Sequence, residues 1–222
     1  MATLSKLIET NHLTNQGGLW VLDQPTQFNY SDGEGSELFL KRVVSEARDL
    51  SSQSLDLETC YPDWDWVAEY HLSYKRANLL RGLNLSQIEN ALEIGCGCGT
   101  ITRYLGEQGI CVDAIEGAQR RADIAQLRCR DLDNVRIINA NYNDLQIPEK
   151  SYDAIIAVGV IEYTGKFLYA SQSEEAAVIT ILKQIQRTLS EEGVLIIAIE
   201  NSNGLKYWMG ATEDHFGQPY VG

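Results

Sequence analysis

The stretch ALEIGCGCGT, residues 91–100, joins a short apolar run to glycines at alternate positions. Ala91–Ile94 has the composition of a buried strand, and Gly95, Gly97 and Gly99 follow before a helical pattern over Ile101–Gln108. Glycine takes positive φ at little cost and lets the backbone approach a ligand with no Cβ in the way. A dinucleotide-type G-x-G-x-x-G would need glycine at position 100, where Thr100 stands. The spacing is instead E-x-G-x-G-x-G, starting from Glu93. Strand, glycine turn and helix in that order open an α/β unit.

Further apolar runs lie on either side of a repeating strand–helix rhythm. They are Ile110–Ile115, Val135–Ile138, Ala154–Val158 and Val194–Ile199, with helical candidates at Gln119–Arg130 and Glu174–Ser190. Runs without polar alternation suit strands buried on both faces of a parallel sheet. In the helix from Gln119, Ala122, Ala125 and Cys129 share a face, which turns Arg120, Arg121, Arg128 and Arg130 to solvent. The order β-α-β-α-β-β-α-β predicts a Rossmann-like, doubly wound, mainly parallel sheet with right-handed crossovers.

Upstream the chain changes character. Residues 1–85 are rich in Trp, Tyr and acidic side chains and read as a helical cap or substrate region, with residues 86–222 as the core. One helix is expected from a Ser36 cap through Leu38, Leu40, Val43, Val44 and Ala47, and a second over Trp66–Arg81. The chain ends at Gly222, soon after the fifth run. The expectation is a fragment lacking C-terminal strands, with the fifth strand as an open edge that invites association.

Composition narrows the partners. Against 18 Lys and Arg stand 31 Asp and Glu, a net charge of −13, which argues against nucleic-acid or anionic-membrane binding. No apolar run approaches the roughly 20 residues of a membrane span, and the N-terminus lacks a signal-peptide pattern, so a cytoplasmic location is expected. The five cysteines have no metal-site spacing. Cys96 and Cys98 read as small buried thiols, and no metal is expected.

The chemistry gathers at strand ends. Glu116 closes the second run, where an acidic side chain can accept both hydroxyls of a ribose. Asn141 and Tyr142 follow the third, an amide to meet an adenine edge and a ring to stack on it. Val158 and Gly159 end the fourth, and Glu162 and Tyr163 come next, placed to face a reacting group.

Together these elements resemble the class I S-adenosylmethionine-dependent methyltransferases over roughly residues 85–200. The resemblance implies that Glu93, Gly95, Cys96, Gly97 and Gly99 hold the methionine end and nearby ribose. It implies Glu116 and Gly117 at the ribose hydroxyls, Asn141 and Tyr142 at adenine, and Val158 and Gly159 along the cofactor. Asn141 takes the place of the family's common Asp. Arg76, in YHLSYKRANLLR, matches the Arg that meets the cofactor carboxylate in many members. The flanks FNYSDGEGSE, TRYLGEQG, GVIEYTGKF and AIENSNGLKYWMGATEDHFG look like bacterial methyltransferases of cell-surface polysaccharide loci, often linked to glycosyltransferases. The expected reaction is methyl transfer to a hydroxyl of a sugar or other small acceptor.

A hydroxyl acceptor needs a positioned base. His215 is the first candidate, with Asp214 or Glu213 orienting it and Glu162 nearby as a further catalytic group; His71 on the cap helix competes. A non-catalytic cofactor-binding partner of a glycosyltransferase complex is the alternative function, and a dehydrogenase is disfavoured by Thr100.

Overall fold

A computed structural model describes residues 5–23, 31–55, 57, 65–167, 173–201 and 203–212. These form one seven-stranded sheet. Its strands are β1 (Thr14–Gln16), β2 (Leu19–Val21), β3 (Asn90–Ile94), β4 (Cys111–Glu116), β5 (Val135–Asn139), β6 (Tyr152–Val158) and β7 (Leu189–Ala198). The order across the sheet is β1-β2-β5-β4-β3-β6-β7. All neighbouring pairs are parallel except β1 with β2. The doubly wound architecture expected from the sequence is the one observed.

Both faces of the central parallel strands β3, β4 and β6 are covered, which explains their unbroken apolar runs. Leu92, Ile94, Ile155 and Ala157 point to one face and pack with Ile181 and Ile185. These last two belong to the helix Glu174–Thr188, capped by Ser173. Ala91, Val112, Ala114 and Ile156 point to the other face, against Leu105, Ala122 and Ala125. That face carries α3 (Thr100–Glu107) and α4 (Gln119–Arg128). A buried polar contact ties three strands: Asp113 of β4 accepts from the Tyr152 hydroxyl at 2.7 Å and from Arg136 Nε at 2.5 Å.

The N-terminal region does more than cap the core. Gly17 and Gly18, with φ of 66° and 98°, turn β1 back on β2, and β2 then pairs in parallel with β5. A Gly-Gly pair supplies the two positive φ values of a tight hairpin; this hairpin in TNQGGLWV was not anticipated. At the opposite side of the sheet β7 pairs with β6 alone among the described residues. Val194 and Ile197 on that strand are 46% and 39% exposed.

The two cap helices are α1 (Glu34–Glu46) and α2 (Trp66–Leu72). α1 begins two residues before the expected Ser36 cap, because Gly33 at φ 98° turns the chain into it and Glu34 and Glu37 suit its positive end. α2, capped by Asp65, stops well short of Arg81. Ser73 is extended, and a separate 3₁₀ turn, Tyr74–Ala77, and the short helix Asn78–Arg81 follow. The break leaves carbonyls at the end of α2 without helical donors. Thr100 Oγ1 donates to the His71 carbonyl at 2.5 Å, and Arg128 donates to His71 at 3.4 Å and Leu72 at 3.1 Å.

That role corrects the expectation for the arginines of α4. Arg120 is half exposed and paired with Glu34 and Glu37, but Arg128 is fully buried and Arg121 nearly so. They turn inward because cap helices cover this helix, a cover that the spacing within α4 could not reveal. Burial pushes the Arg128 guanidinium down to about 10, still charged at neutral pH. No helix among the described residues is long and apolar enough to cross a membrane.

Replacing Arg128 by Met should leave the Leu72 carbonyl unanswered inside the protein. The expected loss is about 1–3 kcal/mol, the scale for orphaning a buried acceptor, measured as a lower urea midpoint. An unchanged midpoint would show that the α2 terminus is satisfied without it.

Candidate functional site

The cleft opens at the C-terminal edge of the parallel strands, between β3 and β6. There the strand order reverses, the place where open α/β sheets bind ligands. Its volume, with the open solvent at its mouth included, is about 1080 Å³.

The glycine turn forms its floor. Gly95, Gly97 and Gly99 have φ of 72°, 55° and 77°, a region that penalises any side chain. The N–H groups of Gly95 and Cys96 both donate to the Ile115 carbonyl, at 2.9 and 3.0 Å. Gly97 N–H donates to Glu116 Oε2 and Ala118 N–H to Oε1, each at 2.8 Å. The end of β4 therefore grips the turn that ends β3. A Cβ on Gly95 would stand 2.5 Å from Val160 Cγ2, across the cleft floor.

Gly99 serves a different purpose from the one expected. It is not among the residues lining the cleft, and a Cβ there would lie 3.0 Å from Ala125 Cα and Cβ. Its smallness lets α3 and α4 pack closely.

Most of the other predicted residues do meet. Arg76, Glu93, Cys96, Glu116, Gly117 and Asn141 line the cleft, as do Tyr142, Val158 and Gly159. Asn141 Oδ1 accepts from Asn143 N–H at 3.1 Å, starting the 3₁₀ turn Tyr142–Asp144. Arg76 lies over the Tyr70 ring, 4.2 Å from the centroid. Glu162 is not brought in: its Oε1 faces Glu200 N–H at 3.4 Å, while Tyr163 beside it lines the cleft. His215, with Glu213 and Asp214, lies outside the described residues.

The structure gives His71, the competing base of the sequence, two charged neighbours that spacing did not suggest. His71, only 4% exposed, lines the cleft, and its Nε2 is 2.8 Å from Asp32 Oδ2. Arg121 also donates to Asp32 Oδ2. Burial works against the Asp32 charge, yet the His71 hydrogen bond and Arg121 outweigh it and hold the carboxyl well below the usual range. Burial likewise lowers the His71 pKa, against the pull of Asp32. Asp32 stands in an ordinary-looking SDGEG turn, so only its company identifies it.

Burial also governs the remaining cleft groups. Glu93 receives the Thr102 hydroxyl at 2.6 Å, but desolvation dominates and raises its carboxyl to about 8. Desolvation pushes the Cys98 thiol up to about 12 and raises Cys96 well above its ordinary value. Neither is a thiolate at neutral pH.

Residues 92–197 match the family model described as a methyltransferase domain. A demethylmenaquinone methyltransferase of Tropheryma whipplei is 36% identical over 78 residues, 34% of this chain and 31% of that protein. A ubiquinone biosynthesis O-methyltransferase of Rickettsia akari is 30% identical over 131 residues, 57% of this chain and 46% of that one. The chain thus spans less than half the length of these curated relatives. Among solved structures, a phosphoethanolamine N-methyltransferase of Haemonchus contortus aligns at 20% identity and TM-score 0.49, over 77% of this chain and 33% of that one. An S-adenosylmethionine-dependent methyltransferase of Mesorhizobium loti aligns at 18% identity and TM-score 0.46, over 58% and 53%.

Glu93 yields a pH test. In the folded chain it keeps its proton to about pH 8, whereas its ordinary value is 4.5. Between those values the native state binds the extra proton, so its stabilising contribution is complete below the lower value and is lost as pH rises toward the upper one. Relative to Glu93→Gln, the wild-type chain should lose on the order of a few kcal/mol over that interval. Urea titrations across it measure the difference, and parallel curves for the two chains would mean that Glu93 is already ionised in the cleft.

Proposed function

We propose that this chain is an S-adenosylmethionine-dependent methyltransferase that acts on a hydroxyl of a sugar or other small acceptor in surface-polysaccharide biosynthesis. The observation that carries the cofactor reading is the pairing of Glu116 with the open backbone at Gly95–Gly97 in one cleft. Each Glu116 oxygen takes one backbone N–H and keeps lone-pair capacity for a ribose hydroxyl.

The donor set fits the whole cofactor. Glu116 would hold the ribose, Asn141 and Tyr142 the adenine, and Arg76 the carboxylate. Glu93 would lie near the cationic methionine end, where an approaching positive charge favours its ionised form. The bare turn, which a Cβ at Gly95 would fill, leaves room for the chain between them. When bound, the cofactor supplies a methyl already made electrophilic by its sulfonium. The protein's task is then to orient the acceptor, exclude water and remove a proton. Holding reactants in line is worth roughly 7–11 kcal/mol in favourable systems.

Oxygen as the accepting atom is supported by the match to an O-methyltransferase of ubiquinone biosynthesis. The polysaccharide setting and a glycosyltransferase partner rest on the flanking segments. Trp66, half exposed and stacked on the cleft residue Tyr70 with centroids 5.3 Å apart, adds aromatic surface beside the cleft; such surface suits a sugar ring. A role as a non-catalytic partner would appear as cofactor binding without transfer to any glycan precursor.

Calorimetry provides the test. S-adenosylmethionine and S-adenosylhomocysteine should bind with micromolar affinity and NAD should not. Glu116→Ala should weaken both by about 1.5–3 kcal/mol, the worth of hydrogen bonds to a charged group. Unchanged affinity would remove Glu116 from the ribose site.

A further inference from the structure

We propose that His71 is the base that takes the proton of the acceptor hydroxyl, with Nδ1 presented to the cleft and Asp32 as the positioning residue. The proposal rests on the methyltransferase reading and adds to it the residue that takes the acceptor's proton and the carboxylate that orients it.

The tautomer follows from the ion pair. Asp32 is ionised, as its depressed pKa requires, so the 2.8 Å contact needs the hydrogen on Nε2. Nδ1 then carries the lone pair. It has no hydrogen-bond partner among the described residues, and it looks toward the glycine turn: a Cβ on Gly97 would lie 3.7 Å from it.

The ring is also fixed in place. The His71 carbonyl is held by Thr100 and Arg128, and the Tyr70 ring meets the imidazole edge-on with centroids 4.9 Å apart. A carboxylate that locks the tautomer and direction of an imidazole is the base–orienter half of a catalytic triad, here with the two ring nitrogens exchanged. Of the histidines described, His12 and His71, only His71 lines the cleft.

The step balances without another reactant. The acceptor O–H bond breaks and its proton passes to Nδ1, while the oxygen pair forms the new bond to the methyl carbon and the carbon–sulfur bond breaks. The resulting imidazolium faces Asp32. Burial, joined by Arg121 and Arg76, opposes that charge, so the ring starts neutral and gives the proton up again after transfer.

Nitrogen-15 spectra of the imidazole rings in the full chain test this, with His71→Gln used to assign the signals. With S-adenosylhomocysteine bound, His71 should show a protonated Nε2 and a bare Nδ1. Catechol or methyl glucoside should then move the Nδ1 resonance toward its hydrogen-bonded position, whereas 1,2-dimethoxybenzene, which has no hydroxyl, should not. In His71→Gln the hydroxyl probes should bind about tenfold more weakly, the equivalent of one such hydrogen bond, with S-adenosylhomocysteine affinity nearly unchanged. Asp32→Asn should shift the proton to Nδ1 and abolish the response.

Movement of Nδ1 on adding S-adenosylhomocysteine alone would make it a cofactor contact and overturn the proposal. No response to either hydroxyl probe would overturn it too. Failure of S-adenosylhomocysteine to bind would instead bring down the methyltransferase reading itself.

Discussion

Everything at the cleft depends on how one carboxylate and one carbonyl at the end of β4 hold the glycine turn. The Ile115 carbonyl takes the N–H groups of Gly95 and Cys96, and Glu116 takes those of Gly97 and Ala118. A backbone run at positive φ has little secondary structure to stabilise it, so its donors must be answered from a neighbouring element. Meeting that demand with a side chain on the adjacent strand brings the acid proposed for the ribose to the edge of the same opening. The scaffold and the candidate binding group are one arrangement.

A second chain of contacts joins this centre to the cap. The end of α2 is broken at Ser73, and Arg128 from α4 answers the carbonyls it leaves. The ring of His71 on the same terminus pairs with Asp32, and Asp32 pairs with Arg121 on the helix that supplies Arg128. Two buried arginines two turns apart on one face of α4 therefore fix both backbone and side chain at the end of a cap helix. Buried guanidinium groups are costly when unanswered, which makes the position of that helix specific.

The strands and the glycine turn were legible because their signals are local. A doubly buried parallel strand needs an unbroken apolar run, and a left-handed turn needs glycine. Glu116, Asn141 and Gly159 followed from strand ends. What escaped depends on contacts between distant segments. Arg121 and Arg128 looked solvated while the cap covering them was unknown, and Gly99 looked like ligand floor where it is a packing position against Ala125. Glu162 sat at the right strand end but faces Glu200, since the 3₁₀ turn at Ile161–Tyr163 directs Tyr163 inward instead. Asp32 carried no signal until His71 and Arg121 stood beside it. The Gly17-Gly18 hairpin does carry one, a two-residue turn between short polar and apolar runs.

That hairpin has a consequence for how the chain is made. β1 and β2 leave the ribosome before the strand they pair with, β5, which emerges only after β3 and β4 have been synthesised. Until then the hairpin has no sheet to join, and a lone two-stranded ribbon is marginal in water. An element translated early thus waits for one translated more than a hundred residues later. Its docking on β5 marks the point in biogenesis when that side of the nascent sheet stops being adhesive.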